Sequence, residues 1–140
     1  MIEVAVNMLI HIDTKRGVPY YRQVKEQITQ MILSGQLVKG TQLESVANLS
    51  KRLKVNPMTI SKAYSFLVEE QLLERRPGIG VFVAEIPQAK RQEKTNVLLS
   101  GLLQKAAALA LQMGLSQEET ESLFRQAIVQ VRSQEGSDDR

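Results

Sequence analysis

Apolar side chains recur at helical spacing in the segment that begins at Tyr20. The turn Gly17-Val18-Pro19 precedes this segment, and Gly35 follows it at a position that suits the end of a helix. The apolar positions within the segment are Tyr21, Val24, Ile28, Met31 and Ile32. Because this spacing places them on one side, the pattern predicts a helix from Tyr20 to Ser34 with one buried face.

Two shorter apolar repeats predict a pair of helices joined by a tight turn. The first covers roughly Ser45 to Lys54. The second begins at Asn56-Pro57, because Asn accepts a hydrogen bond from a free backbone N–H at a helix start and Pro has no N–H to leave unpaired. The expected buried positions are Val46, Leu49 and Leu53 in the first helix, and Ile60, Ala63, Tyr64, Leu67 and Val68 in the second. This pattern is typical of a helix-turn-helix.

β-prone residues lie on both sides of the turn Pro77-Gly78-Ile79-Gly80. The runs Leu72 to Arg76 and Val81 to Ala84 predict the two strands of a hairpin. Three helices followed by a hairpin form a winged helix-turn-helix domain, which we expect over residues 8–84. Ahead of the first helix, Met8 to Asp13 predicts a short strand or an ordered arm.

The polar segment 85–94 is expected to be a linker to a second region over residues 95–135. Two amphipathic helices are predicted there. The first runs from Thr95 to Met113, and the capping box Ser116-Gln117-Glu118-Glu119 opens the second. Gly136 to Arg140 is expected to be a frayed tail. The predicted fold class is therefore mainly α with a small β-hairpin, with a winged domain followed by a two-helix hairpin.

The apolar stripe of the C-terminal helices is broader than a hairpin of two helices can bury. Either the winged domain of the same chain or the equivalent hairpin of a second subunit would have to cover the remainder. We favour the second subunit, because two-fold symmetry is the commonest form of oligomer and matches a palindromic DNA site. The residues expected at this dimer interface are Leu98, Leu102, Ala106, Leu109, Leu123, Phe124 and Ile128.

Composition and charge narrow the class of protein without deciding it. The chain has 140 residues, no Cys and 43% hydrophobic residues, which indicates a packed protein without disulfides or thiolate metal sites. No apolar run is long enough to span a bilayer, and the N-terminus makes a poor signal peptide, so a cytoplasmic protein is expected. The net charge of +3 comes entirely from residues 1–85, which carry 11 Lys and Arg against 8 Asp and Glu. So small an excess supports DNA binding only weakly.

Several side chains on the second helix of the pair and on the hairpin suit contact with DNA. Short polar groups near a helix N-terminus reach phosphates or base edges, Met contacts a thymine methyl group, and cations bind phosphates. The candidate DNA-binding residues are Lys51, Arg52, Asn56, Met58, Thr59, Ser61, Lys62, Ser65, Arg75, Arg76, Gly78 and Gly80. Each residue taken singly is equally compatible with an ordinary solvated surface, but their order along the chain favours DNA.

Other functions are weighed against DNA binding. A winged helix also serves as a protein-interaction module without a DNA role, and this alternative stays open. An enzyme is not expected, since His11 is the only His and the sequence has no phosphate-binding loop, metal-ligand cluster or nucleophile–base pair. Neither a cofactor nor a metal is therefore predicted. The sequence does not identify a small-molecule effector, and the C-terminal hairpin is too short to enclose a pocket within one subunit.

Four linked segments between Asp13 and Val83 resemble the DNA-binding domain of the GntR family of bacterial transcription regulators. They are residues 19–24, 32–37, 40–46 and 72–83. Residues 55–64 are similar to the recognition helix of the YtrA-like branch, and the short helical C-terminal region fits the same branch. The resemblance implies a homodimeric regulator, usually a repressor, that often controls an operon for an ABC-type transporter.

The sequence departs from the family pattern at positions that commonly contact DNA. Glu44 stands where many members have Pro, Ala47 where many have an Arg that contacts DNA, and Met58 where the branch usually has Asn. The resemblance carries DNA contacts over most directly to Thr59, Lys62, Arg76 and Gly80. We therefore expect either a distinctive operator or modest affinity.

Overall fold

The computed structural model describes residues 4–5 and 8–138. Within these residues the chain forms five helices: α1 Tyr20–Leu33, α2 Val46–Leu53, α3 Pro57–Glu69, α4 Gln88–Gln112 and α5 Gln117–Asp138. The same residues form four strands: β1 Val4–Ala5, β2 Gln42–Leu43, β3 Leu73–Arg76 and β4 Gly80–Val83. The chain divides into two compact units, one up to Lys94 and one from Thr95 onward.

The N-terminal unit is built around three helices whose apolar faces meet in one core. α1 and α2 both pack against α3. The helical apolar residues buried in this core are Val24, Ile28, Ile32, Leu49, Ile60, Ala63, Tyr64 and Leu67. Five further residues expected in the core are only partly buried and pack against its rim: Tyr21, Met31, Val46, Leu53 and Val68. The helical spacing in the sequence thus predicts both the helices and the faces that they bury.

Local hydrogen bonds define the turn of the helix-turn-helix. The Ser45 hydroxyl accepts from the Asn48 N–H at 3.1 Å at the start of α2, and Lys54 ends that helix in the left-handed conformation, with φ of 58°. The side-chain oxygen of Asn56 then accepts from the Met58 N–H at 2.9 Å, and Pro57 is the first residue of α3. The predicted helix start at Asn56-Pro57 is confirmed.

The hairpin belongs to a small sheet with the strand order β1-β2-β4-β3. β3 and β4 pair antiparallel, with Leu73 opposite Val83 and Arg76 opposite Gly80. β2 joins the other edge of β4 in antiparallel orientation, and β1 pairs parallel with β2. The buried side chains of Leu73 and Val83 join the hairpin to the core of the domain. The predicted winged helix-turn-helix fold is confirmed.

Residues 8–13 form an ordered arm, and none of them is part of a strand. The side-chain amide of Gln27 accepts from the N–H of His11 at 2.9 Å and donates to its C=O at 2.8 Å. The amide of Gln23 does the same for Asp13, at 2.8 and 2.9 Å. Because the two Gln residues lie one turn apart on α1, their amides pair with alternate residues of the arm as a neighbouring strand would. The prediction of an ordered arm is right and that of a strand is wrong.

The expected linker 85–94 is helical from Gln88 onward, so α4 starts earlier than the predicted Thr95. This stretch has no apolar stripe, and periodicity alone therefore gives no helical signal, although its Gln, Ala, Lys, Arg and Glu residues all favour helix. The guanidinium of Arg91 also donates to two carbonyl oxygens at the end of α1, at 2.8 and 3.3 Å. The tertiary contact adds to the intrinsic preference.

The last helix is longer than the sequence predicts. α5 runs to Asp138, whereas a frayed tail is expected from Gly136. The hydroxyls of Ser133 and Ser137 donate to carbonyl oxygens one turn earlier, at 2.9 and 3.3 Å, which fits a continuous helix. The rest of the predicted tail, residues 139–140, lies outside the described residues.

The buried phenol of Tyr64 predicts a loss of stability at alkaline pH. Its side chain is 1% exposed, and its hydroxyl donates to the Glu44 carbonyl oxygen at 2.6 Å. Burial, assisted by the negative charge of Glu44, raises the pKa of Tyr64 well above its ordinary value. The folded state therefore holds this proton more tightly than the unfolded state does. The contribution of this proton to stability should be fully present below about pH 10. Above that pH, the free energy of unfolding should fall by up to about 1.4 kcal/mol per pH unit.

Urea unfolding at a series of pH values from 8 to 11 would measure this fall, and Tyr64→Phe should remove most of it. The matched control is Tyr20→Phe, because Tyr20 is exposed and its loss removes a phenol without touching the core. An equal alkaline decline in wild type and Tyr64→Phe would contradict the assignment.

Candidate nucleic-acid interface

One side of α3 exposes a mixture of polar and apolar side chains. Met58, Ser61, Lys62 and Ser65 follow one another at helical spacing and line the same shallow surface groove. Met58 is 72% exposed, and Thr59 lies next to it in the first turn of the helix, half-buried. The arrangement offers three small hydroxyls, one cation and one apolar tip to any surface that docks against this side of α3.

The structure divides the three cations at the end of α2 into two kinds. Lys51 and Lys54 are exposed, and within the described part of the chain neither lies at ion-pair distance from a carboxylate. Arg52 instead forms a two-pronged pair with Glu44, at 2.8 and 3.2 Å, and also donates to the Met8 carbonyl oxygen at 2.8 Å. The hydrogen bond with Glu44 raises the pKa of Arg52, although burial acts in the opposite direction. The charge of Arg52 is thus partly neutralised within the protein.

Arg75 and Arg76 place two guanidinium groups on β3, the first strand of the hairpin. Arg75 donates to the Ser65 hydroxyl at 2.8 Å, so it links the hairpin directly to the exposed face of α3. Arg76 pairs with Glu74 at 2.9 Å and lies 4.0 Å above the centre of the Phe82 ring. The structure therefore links Arg75 of the wing to Ser65 on α3, whereas Arg76 lies with Glu74 on the other face of β3, over Phe82.

Two of the predicted DNA-binding residues have a clear role in the backbone conformation of the domain. The Asn56 side chain is exposed, but its oxygen is used to cap α3. Gly78 has a φ of 74° at the hairpin turn, a conformation that favours glycine. Asn56 and Gly78 therefore fix the backbone around the interface, and this role does not require either residue to contact a ligand.

Gln42 on β2 is a residue of this region that the sequence does not reveal. Its side-chain amide donates to the Ile79 carbonyl oxygen at 3.0 Å and so holds the tip of the wing. A Cβ on Gly80 would lie 2.6 Å from the nitrogen of that amide. Gln42 and Ile79 are far apart along the chain, and no local pattern could have predicted that they meet.

Gly80→Ala is expected to destabilise the protein by about 1–3 kcal/mol, because it combines backbone strain with a steric clash. Gly80 has a φ of 150°, and the added methyl group would displace the Gln42 amide. Gly78→Ala is the matched control, since a Cβ there would have no neighbour within 4 Å and only strain remains. Denaturant unfolding of the two variants and of Gln42→Ala/Gly80→Ala measures the clash. The explanation fails if Gly80→Ala is no less stable than Gly78→Ala.

The C-terminal helices expose the apolar residues that the sequence assigns to a dimer interface. Leu102 is 55% exposed and Phe124 is 52% exposed. Leu98 is half-buried, and the other four predicted positions are also exposed: Ala106, Leu109, Leu123 and Ile128. Within the C-terminal unit, α4 and α5 do not pack along each other beyond the turn that joins them. Most of the apolar residues of the two helices are therefore exposed to solvent in the single chain.

The fold and this surface define a class of protein. The second helix of a helix-turn-helix presents its N-terminal face beside a wing that carries two Arg residues, which is the architecture of winged helix-turn-helix transcription regulators. Comparison with known proteins agrees: the sequence model described as "Bacterial regulatory proteins, gntR family" matches residues 20–83. The chain belongs to the GntR family of transcription regulators.

Curated relatives and a solved structure extend the match. The chain is 33% identical over 104 residues to the HTH-type transcriptional regulator YhcF of Bacillus subtilis, covering 72% of this chain and 83% of YhcF. It is 35% identical over 77 residues to the HTH-type transcriptional repressor YtrA of the same organism, covering 55% of this chain but only 59% of YtrA. A GntR family transcriptional regulator from Listeria monocytogenes superposes with a TM-score of 0.71 at 26% identity, over 80% of this chain and 97% of that chain.

These relatives are transcription regulators and not enzymes. In the part of the chain that the structure describes, no helix is sufficiently long and apolar to cross a membrane. The described residues also contain no group of three or more acidic or His side chains placed to hold a metal ion.

Proposed function

We propose that this protein is a homodimeric repressor that binds a palindromic operator through the exposed face of α3 and the wing. The observation that carries the proposal is that Ser61, Lys62 and Ser65 line one face of α3 and that Arg75 of the wing donates to Ser65 on this face. YtrA is named as a repressor, which supports the direction of regulation. We further propose that the protein acts in the cytoplasm and, by its likeness to the YtrA-like branch, on a transporter operon.

Each part of the surface has its own role in the proposed complex. Thr59 and Ser61 donate to base edges or phosphates from the start of α3, and Met58 contacts a thymine methyl group. Lys51 and Lys62 bind phosphates of the DNA backbone. The wing brings Arg76 to the neighbouring backbone, after exchange of its partner Glu74 for a phosphate oxygen. Arg52 contributes less than its charge suggests, because Glu44 already holds it.

The apolar faces of α4 and α5 supply the proposed dimer interface. Water-exposed apolar surface of this extent is unusual on a protein that stays monomeric. A second copy would bury both helices in a helical bundle and relate the two winged domains by a two-fold axis. A palindromic operator then presents one half-site to each domain.

A gel shift with the DNA upstream of the protein's own gene tests this function. Binding to that DNA should be tighter than to unrelated DNA of the same length, and it should weaken by at least about tenfold between 50 and 200 mM salt, because phosphate contacts release counterions. Equal binding to both DNAs, or none to either, would contradict the proposal and favour a protein-interaction module. The genes next to that DNA test the proposed link to a transporter.

A further inference from the structure

Two aromatic rings lie beside the exposed face of α3. The ring of Tyr21 on α1 stacks on that of Phe66 on α3, with centroids 5.6 Å apart and an interplanar angle of 21°. A lysine sits over each ring: the ammonium nitrogen of Lys62 is 4.1 Å from the Tyr21 centroid, and that of Lys25 is 5.5 Å from the Phe66 centroid. The Tyr21 ring thus makes a cation–π contact with the only Lys on α3.

Lys62 differs from Arg52 and Arg76 in the group that contacts it. Arg52 is paired with Glu44 and Arg76 with Glu74, so the charge of each is partly cancelled. Among the described residues, no carboxylate lies at ion-pair distance from Lys62. An aromatic face attracts an ammonium group without accepting its N–H bonds in the way a carboxylate does. The N–H donors of Lys62 therefore stay available to a ligand while the position of its ammonium group is restricted.

We propose that Tyr21 is a positioning residue for DNA binding, whose ring holds the ammonium group of Lys62 ready for a phosphate. This inference rests on the proposed function. A free lysine side chain loses rotamer freedom when it binds, and this loss opposes binding. The Tyr21 ring has already restricted Lys62 in the unbound protein, so part of that cost is removed. A residue of α1 that need not touch DNA then contributes to affinity.

Double-mutant cycles in the full-length protein separate this role from a structural one. Tyr21→Leu should weaken operator binding by about three- to tenfold. In a Lys62→Ala background the same change should have little further effect, because the lysine it positions is absent. The matched control is a Lys25→Ala background, in which Tyr21→Leu should retain its full effect. Tyr21→Phe keeps the ring and should restore binding relative to Tyr21→Leu.

A measurement without DNA tests the contact between Lys62 and the Tyr21 ring. In nuclear magnetic resonance spectra of the free protein, the ε-methylene protons of Lys62 should be shifted upfield by the ring current of Tyr21. The shift should persist in Tyr21→Phe and disappear in Tyr21→Leu. This measurement also shows whether Tyr21→Leu remains folded.

Two results would overturn the inference. One is a weakening by Tyr21→Leu that is equally large with and without Lys62, since the ring would then act on the fold alone. The other is a loss in Tyr21→Phe as large as that in Tyr21→Leu, which would assign the effect to the hydroxyl. Both presuppose that the wild-type protein binds its upstream DNA; failure of that binding would refute the proposed function instead.

Discussion

Leu102→Glu is expected to convert the protein from a dimer to a monomer and to lower its affinity for the operator by about a hundredfold or more. Leu102 lies on the exposed apolar stripe of α4, between Leu98 and Ala106 on the same helical face. A carboxylate buried there without a partner would be strongly unfavourable in the dimer, but it would remain solvated in the monomer. DNA binding should fall with dimerisation, because the second half-site then has to be bound as an independent event.

The matched control for this prediction is Gln104→Glu. It adds the same negative charge to α4 at an exposed residue on a different side of the helix. Sedimentation velocity at micromolar concentration should show a dimer for wild type and Gln104→Glu and a monomer for Leu102→Glu. A wild-type monomer, or a Leu102→Glu variant that remains dimeric, would show that this stripe is not the interface.

Lys62→Glu is expected to reduce operator affinity by about a hundredfold or more at moderate salt, because a carboxylate placed against a phosphate costs several kcal/mol where an ammonium group was favourable. The dimer carries two copies, so the effect acts at both half-sites. The helix should tolerate the change, since Lys and Glu have similar helix propensities and the side chain is exposed.

Lys39→Glu is the control, because it changes the net charge of the protein by the same amount at a site near the base of the sheet. Lys39 lies 3.4 Å from Glu85, and both side chains are exposed, so only a small effect on stability is expected. Fluorescence anisotropy with labelled operator DNA at one salt concentration compares the two variants. Equal losses would mean that net charge, and not the contact made by α3, governs binding.

Local sequence signals predict the three helices and the hairpin of the winged domain, whereas the pairing of β2 with β4 joins distant segments and has no local signal. Asn56-Pro57 predicts the start of α3, because capping and the missing N–H of Pro act within one turn of the chain. The spacing of Val24, Ile28 and Ile32 predicts the buried face of α1 in the same local way. The hairpin follows from Pro and Gly at its turn. In each case the residues that carry the signal are also the residues that make the structure.

The parts that could not be predicted depend on contacts between distant segments. Arg52 has the sequence character of a phosphate-binding cation, but its pairing with Glu44 and with the arm exists only in the folded domain. Two further contacts likewise join separate elements: that of Gln42 with the wing, and that of Lys62 with the Tyr21 ring. Apolar periodicity does not predict the early start of α4 for a different reason. Its first residues favour helix individually but contain no apolar repeat.

Hydroxyl-radical footprinting on the upstream DNA tests the central claim, that a dimer reads an operator through α3, most directly. Wild-type protein should protect two segments related by a dyad, with centres about 10–10.5 base pairs apart or a multiple of that spacing. Lys62→Glu should remove both protections at the same protein concentration, and Lys39→Glu should leave them in place. A single protected segment, no protection by a protein that is dimeric in solution, or protection that survives Lys62→Glu would contradict the account.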